Sequence, residues 1–220
     1  MRGLVASIVL LLPASSFAGP LSPWGVHTTS GETWLTPYLF VDSGAVSNNT
    51  YLSIGLGERF DIIGGVGVGF AGQFEAGVVE AMPRFFVDDS LGLVLRVGSV
   101  PGMPQLELGP EVHGAWTAGR FAFTANVGWR PMVGDGADVG SAFAVLAPEL
   151  FLTDNVSLFV EANPGVALTT GETNLTIVPG FSFAVGDQGF AFGTMLPAAD
   201  PGAWTLGAWW SARLGTVGGS

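Results

Sequence analysis

Between Leu106 and Arg130 large apolar side chains recur at every second position. Leu106, Leu108, Pro110, Val112 and Trp116 share one face of a first arm, and Glu107, Gly109, Glu111, His113 and Ala115 share the other. Past a turn at Thr117-Ala118-Gly119-Arg120, the residues Phe121, Phe123, Ala125, Val127 and Trp129 alternate with Ala122, Thr124, Asn126, Gly128 and Arg130. Successive side chains of a strand point to opposite faces, so a period of two over arms of this length predicts a β-hairpin. With Trp116 paired to Phe121 across the turn, Glu107 falls opposite Arg130 and Glu111 opposite Asn126. The same alternation continues along the chain. It predicts strands over 32–41, 49–56, 60–70, 76–86, 90–98, 105–116, 121–130, 140–152, 156–163, 174–185, 189–196 and 203–214. That makes twelve; ten is the alternative count, because Ala71 to Glu75 is short for a loop.

The two faces differ in kind. One carries the large apolar residues, and the other is small or charged and would fill a soluble core poorly. An apolar outside with a Gly, Ala and polar inside predicts an all-β fold, a single antiparallel up-and-down transmembrane β-barrel. Connections after even-numbered strands are tight: Gly57-Glu58-Arg59, Val87-Asp88-Asp89, Thr117 to Arg120, Thr153-Asp154-Asn155 and Gly186 to Gln188. Those after odd-numbered strands are mostly longer: Asp42 to Asn48, Ser99 to Pro104, Pro131 to Val139, Pro164 to Thr173 and Pro197 to Gly202. Short periplasmic turns and longer outer loops place both termini in the periplasm. Phe60, Phe121 and Phe190 are first outward positions after tight turns, and Trp116 lies just before one; Trp129 and Trp204 mark the opposite strand ends. Together these six predict aromatic girdles at the headgroup zones. Met82-Pro83-Arg84, Gly109-Pro110-Glu111, Ala147-Pro148-Glu149 and Val178-Pro179-Gly180 form a loose repeat on even strands. Proline lacks a ladder donor, so a bulge or break is expected at each.

Residues 1–18 carry Arg2, an apolar run from Leu4 to Leu12, a Pro13 break and small residues at Ser16 and Ala18. This predicts a signal peptide cleaved before Gly19, with a barrel domain over 19–220. The apolar run falls well short of the roughly 20 residues a spanning helix needs. Composition then removes function classes. All 7 basic residues are Arg against 18 carboxylates, so no basic stripe exists for nucleic acid. The absence of Cys removes thiolate chemistry, disulfides and a lipidation cysteine.

Together these features resemble the general class of bacterial outer-membrane β-barrel proteins. The resemblance covers nearly the whole mature chain and rests on pattern. Thr205, Gly207, Trp209 and Trp210 partly match the last-strand signal that the class presents to its insertion machinery, although the chain continues to a Thr216-Val217-Gly218-Gly219-Ser220 tail instead of a terminal aromatic. The partners implied are outer-membrane lipid, lipopolysaccharide and that machinery, with small ions or solutes as cargo, and the place implied is the bacterial outer membrane.

Alternation turns Asp61, Glu80, Arg84, Arg96, Glu107, Glu111, His113, Arg130, Glu149, Glu161 and Arg213 toward the lumen, with Glu80 near Arg96. Such charges either satisfy a plugged interior or line a pore and set its ion preference. His113 points inward near Thr124 and Glu111, away from the lipid face and outer rim, so no catalytic residue is assigned. Gly67-Val68-Gly69-Phe70-Ala71-Gly72 matches a dinucleotide-binding spacing but has no helix after it. Gly134-Asp135-Gly136-Ala137-Asp138 is an acidic loop without the calcium-loop pattern, so neither metal nor cofactor is expected. The reading is a small passive channel or a structural or adhesive surface protein. The alternatives are a membrane-embedded lipid-modifying hydrolase and a secreted soluble β-sandwich.

Overall fold

The computed structural model describes residues 28–99 and 105–216. The signal segment 1–18, the cleavage position before Gly19, His27, the 100–104 loop and the 217–220 tail lie outside the described residues. Twelve strands follow one another: β1 (Glu32–Val41), β2 (Val46–Gly55), β3 (Phe60–Phe70), β4 (Phe74–Phe86), β5 (Leu91–Ser99), β6 (Gln105–Ala118), β7 (Phe121–Gly134), β8 (Asp138–Thr153), β9 (Val156–Ala167), β10 (Thr173–Val185), β11 (Gln188–Pro197) and β12 (Thr205–Thr216). Each pairs antiparallel with its sequence neighbours, and β12 closes on β1. One closed sheet replaces the two sheets of a sandwich and leaves no edge.

Both ends of the described chain sit at the rim that carries the 56–59, 87–90, 119–120, 154–155 and 186–187 turns. Gly31 N–H donates to Gly55 O at 2.9 Å there, and Glu32 pairs with Thr216. Two of the opposite connections are much shorter than the sequence suggested. β7 runs on to Gly134, β8 starts at Asp138 and β9 runs to Ala167, leaving only 135–137 and 168–172 between strands. Pro131 and Pro164 had marked these stretches as loops. Pro164 instead pairs with Leu175, and Pro131 lies at a register shift between Arg130 and Met132.

The repeated prolines are accommodated without bulges. Pro83, Pro110, Pro148 and Pro179 each pair with the preceding strand, opposite Ile62, Leu95, Phe123 and Val160. Toward the following strand the pairing lapses at each of them and resumes in the same register. A residue with no N–H cannot exchange both bonds with its partner, so the gap is local. Pro148→Val should return that donor and raise stability by about 0.5–1.5 kcal/mol; a urea midpoint in lipid vesicles that does not rise would show that the partner carbonyl is already satisfied.

Outward positions are apolar and exposed, among them Leu93, Val127, Phe181 and Phe192. Inside, the small face is not as empty as the sequence implied. Tyr38, Phe159, Val178, Ala191 and Trp209 form one buried apolar cluster, and Ile63, Met82 and Val94 form a second against Tyr51. The glycines are the hollows that receive these rings. A Cβ at Gly180 would lie 2.3 Å from the Phe159 ring, and one at Gly65 would lie 2.5 Å from the Tyr51 ring.

Candidate functional site

Inward-facing charge gathers on the β2–β7 side, across the barrel from the Tyr38–Trp209 cluster. Asp61 and Arg84 are direct partners on β3 and β4 and bond twice, Nε to Oδ1 at 2.7 Å and Nη2 to Oδ2 at 2.6 Å. Both side chains are fully enclosed. Thr28 N–H adds a 2.7 Å bond to Asp61 Oδ2, and the Arg84 guanidinium lies 5.2 Å from the Phe86 ring centre. A planar fork on a carboxylate is the pairing that best offsets desolvation of two charges.

Next along the wall, Glu80 accepts from the Tyr51 hydroxyl at 2.7 Å and from Arg96 Nη1. Arg96 Nε reaches Glu111 Oε1 at 2.7 Å, and Glu111 Oε2 meets His113 Nε2 at 2.8 Å. Arg130 completes the array. Its Nη2 is 3.6 Å from Glu111 and its Nε 3.7 Å from Glu107, while its guanidinium lies 4.1 Å over the Phe143 ring. Glu107 and Arg130 are the half-buried members, toward the rim opposite the short turns; Glu111 is enclosed.

The predicted Glu107–Arg130 pairing is corrected here. The turn is only Gly119-Arg120, Ala118 pairs with Phe121, and the register moves by two. Glu107 therefore faces Met132 and Glu111 faces Gly128, with Asn126 opposite His113. An even slip keeps every side chain on its face, and Arg130 reaches both carboxylates diagonally. Glu80 pairs with Gly98, so its contact with Arg96 is diagonal as well.

Three further charges complete the set predicted from the sequence. Glu149 is buried and accepts from the Ser157 and Ser182 hydroxyls, and Glu161 accepts from Asn163 Nδ2 at 2.9 Å. Arg213 lies exposed at the short-turn rim, 3.1 Å from Glu32 and 2.7 Å from Asp187. Tyr51, Phe143, Ser157 and Ser182 were missed as members of these groups. Each keeps the alternating phase of an inward residue, but nothing in a single strand says which neighbour it will reach.

Around the outside, Phe60, Trp116, Phe121, Trp129 and Trp204 are exposed, and Phe190 is half-covered by Phe183, stacked at 5.0 Å. Phe60, Trp116, Phe121 and Phe190 lie toward the short-turn rim. Trp129, whose Nε1 donates to Val139 O at 2.6 Å, lies toward the other, and Trp204 precedes β12 in the 198–204 connection. His113 is fully enclosed and its Nε2 is held by Glu111. Gly67 to Gly72 runs along β3 into its turn. No three Asp, Glu or His side chains among the described residues are grouped to hold a metal ion.

No protein-family model matches the sequence, and no curated protein matches it. Solved structures do match in shape. An outer membrane channel from Pseudomonas putida F1 superposes with a TM-score of 0.62 at 10% identity, over 88% of this chain and 100% of that one. The NanC porin gives 0.60 at 9%, over 83% and 100%, and the KdgM porin, in complex with disordered oligogalacturonate, gives 0.61 at 8%, over 81% and 98%. At such identities the likeness speaks for architecture, and the architecture of this chain is that of the bacterial outer-membrane β-barrels, small channels and porins among them.

Proposed function

We propose that the chain is a small passive channel of the outer membrane, exported by its 1–18 signal segment, with both termini and the short turns in the periplasm. One observation carries this reading: the interior charges form a continuous column on one side of the barrel, from the half-buried Glu107 and Arg130 inward through Glu111, Arg96 and Glu80. A wall that only had to be filled would be at least as stable with apolar residues in those places. A line of ionised groups leading in from a mouth is what a narrow polar path for ions and small solutes requires. Lipid and lipopolysaccharide contact the apolar exterior, and the insertion machinery reads the β12 end.

A second reading, a closed structural surface barrel, draws on the Tyr38–Phe159–Trp209 cluster that fills the opposite side. Planar-bilayer recording of the folded, heat-modifiable protein separates the two. Small discrete conductance steps are expected; a folded barrel that inserts and passes no current would leave only the structural reading.

A further inference from the structure

The rim opposite the chain termini carries charge of one sign. Exposed carboxylates stand on or beside five of its six connections: Asp42, Glu75, Asp135 with Asp138, Glu172 and Asp200. The sixth connection, 100–104, has no charged residue in its sequence, and among the described residues no basic side chain stands on the other five connections. Among the described residues the exposed arginines, Arg59, Arg120 and Arg213, all lie at the other rim. Inside, the carboxyl groups of Asp61, Glu80, Glu107, Glu111, Glu149 and Glu161 outnumber the guanidiniums of Arg84, Arg96 and Arg130.

A separate feature gives this charge a place to act. The inner wall at the same mouth, between β1, β2, β11 and β12, is hollowed by a cavity of about 320 Å³. It is lined by Asp42, Asn49, Ser47, Thr205 and Phe40. Asp42 is held at its edge by accepting the N–H groups of Gly44 and Ala45 on Oδ1, both at 2.8 Å. A lining that combines an acidic residue, an aromatic residue and several neutral polar ones fits an ammonium group on a small polar solute.

From the one-signed rim and this cavity together we infer that the channel admits cations in preference to anions, and that amine-bearing solutes dock first against Asp42, Asn49 and Phe40. A ring of carboxylates raises the local cation concentration and repels anions, most strongly at low ionic strength. Acidic oligosaccharides, such as the oligogalacturonate held by one of the similarly folded porins, are therefore the wrong cargo for this mouth.

The inference rests on the channel reading, and one experiment separates their failures. The full chain is placed in planar bilayers under a KCl gradient, with spermidine and then a galacturonate trimer added on the side of the acidic rim. A reversal potential favouring K⁺ over Cl⁻ several-fold is expected, with current block by spermidine and none by the trimer. Replacing the six rim carboxylates by Asn or Gln should bring the K⁺/Cl⁻ ratio close to one. Asp42→Asn alone should weaken the spermidine block several-fold while leaving most of the selectivity. Conductance that prefers Cl⁻, shows no preference, or keeps its preference after neutralisation overturns the inference and leaves the channel standing. A block by spermidine that Asp42→Asn does not weaken overturns the docking place. A folded, inserted barrel without conductance overturns both.

Discussion

Glu111→Ala is expected to cost the barrel about 3–5 kcal/mol, because it removes one partner from a buried ionic array and leaves the others enclosed. Glu111 accepts from Arg96 Nε and meets His113 Nε2, and Arg130 lies 3.6 Å away. Without it Arg96 keeps only Glu80, and Arg130 keeps the longer contact with Glu107. Glu111→Gln retains volume and a carbonyl acceptor and should fall between the variant and the parent. Urea unfolding from lipid vesicles, followed by tryptophan fluorescence, reads the difference. An unchanged midpoint for Glu111→Ala would mean that the remaining carboxylates carry the array by themselves.

The Asp61–Arg84 pair offers the second large effect and a sharper contrast. Arg84→Met strands a carboxylate that is wholly enclosed, and the expected loss is again about 3–5 kcal/mol. Converting both partners, Asp61→Leu with Arg84→Met, removes the desolvation cost along with the attraction. The double variant should recover most of the stability, since an apolar pair of similar volume is often neutral or better. Thr28 tempers this recovery, because its N–H loses the Asp61 acceptor. A double variant no more stable than Arg84→Met would show that the chain around Thr28 depends on Asp61 more than Arg84 does.

The alternation between Leu106 and Arg130 was enough to read the face of every residue in that hairpin, and closure into twelve strands followed from the same period elsewhere. Its contacts were harder to read. Thr117 and Ala118 look like turn residues but extend β6, so the pairing moved by two and Glu107 lost Arg130 as its direct opposite. The face survived because side chains repeat every second residue; the partner did not, because register depends on where the turn tightens. Pro131 and Pro164 misled for a related reason. Pro164 loses its pairing toward β8 but still pairs with Leu175 of β10, and Pro131 pairs with neither neighbour while the strand resumes on both sides of it. The filling of the interior was hidden more deeply. Gly180 and Phe159 lie on different strands, and only the assembled sheet shows that the absence of a side chain on one makes room for the ring of the other.

The interrupted ladders divide the wall in a regular way. Pairing lapses between β4 and β5, β6 and β7, β8 and β9, and β10 and β11, and again between β12 and β1 beside Pro37. Apart from single register shifts beside Gly67 between β3 and β4 and at Pro131 between β7 and β8, pairing is continuous from β1 through β4 and within the pairs β5–β6, β7–β8, β9–β10 and β11–β12. The cylinder is thus made of five panels joined along five seams, each seam missing part of its lacing. A hoop built this way resists being pulled apart, since register holds on both sides of every gap, but yields more readily to a change in the roundness of its cross-section. Its stiffness lies within the panels, and its compliance lies at the prolines.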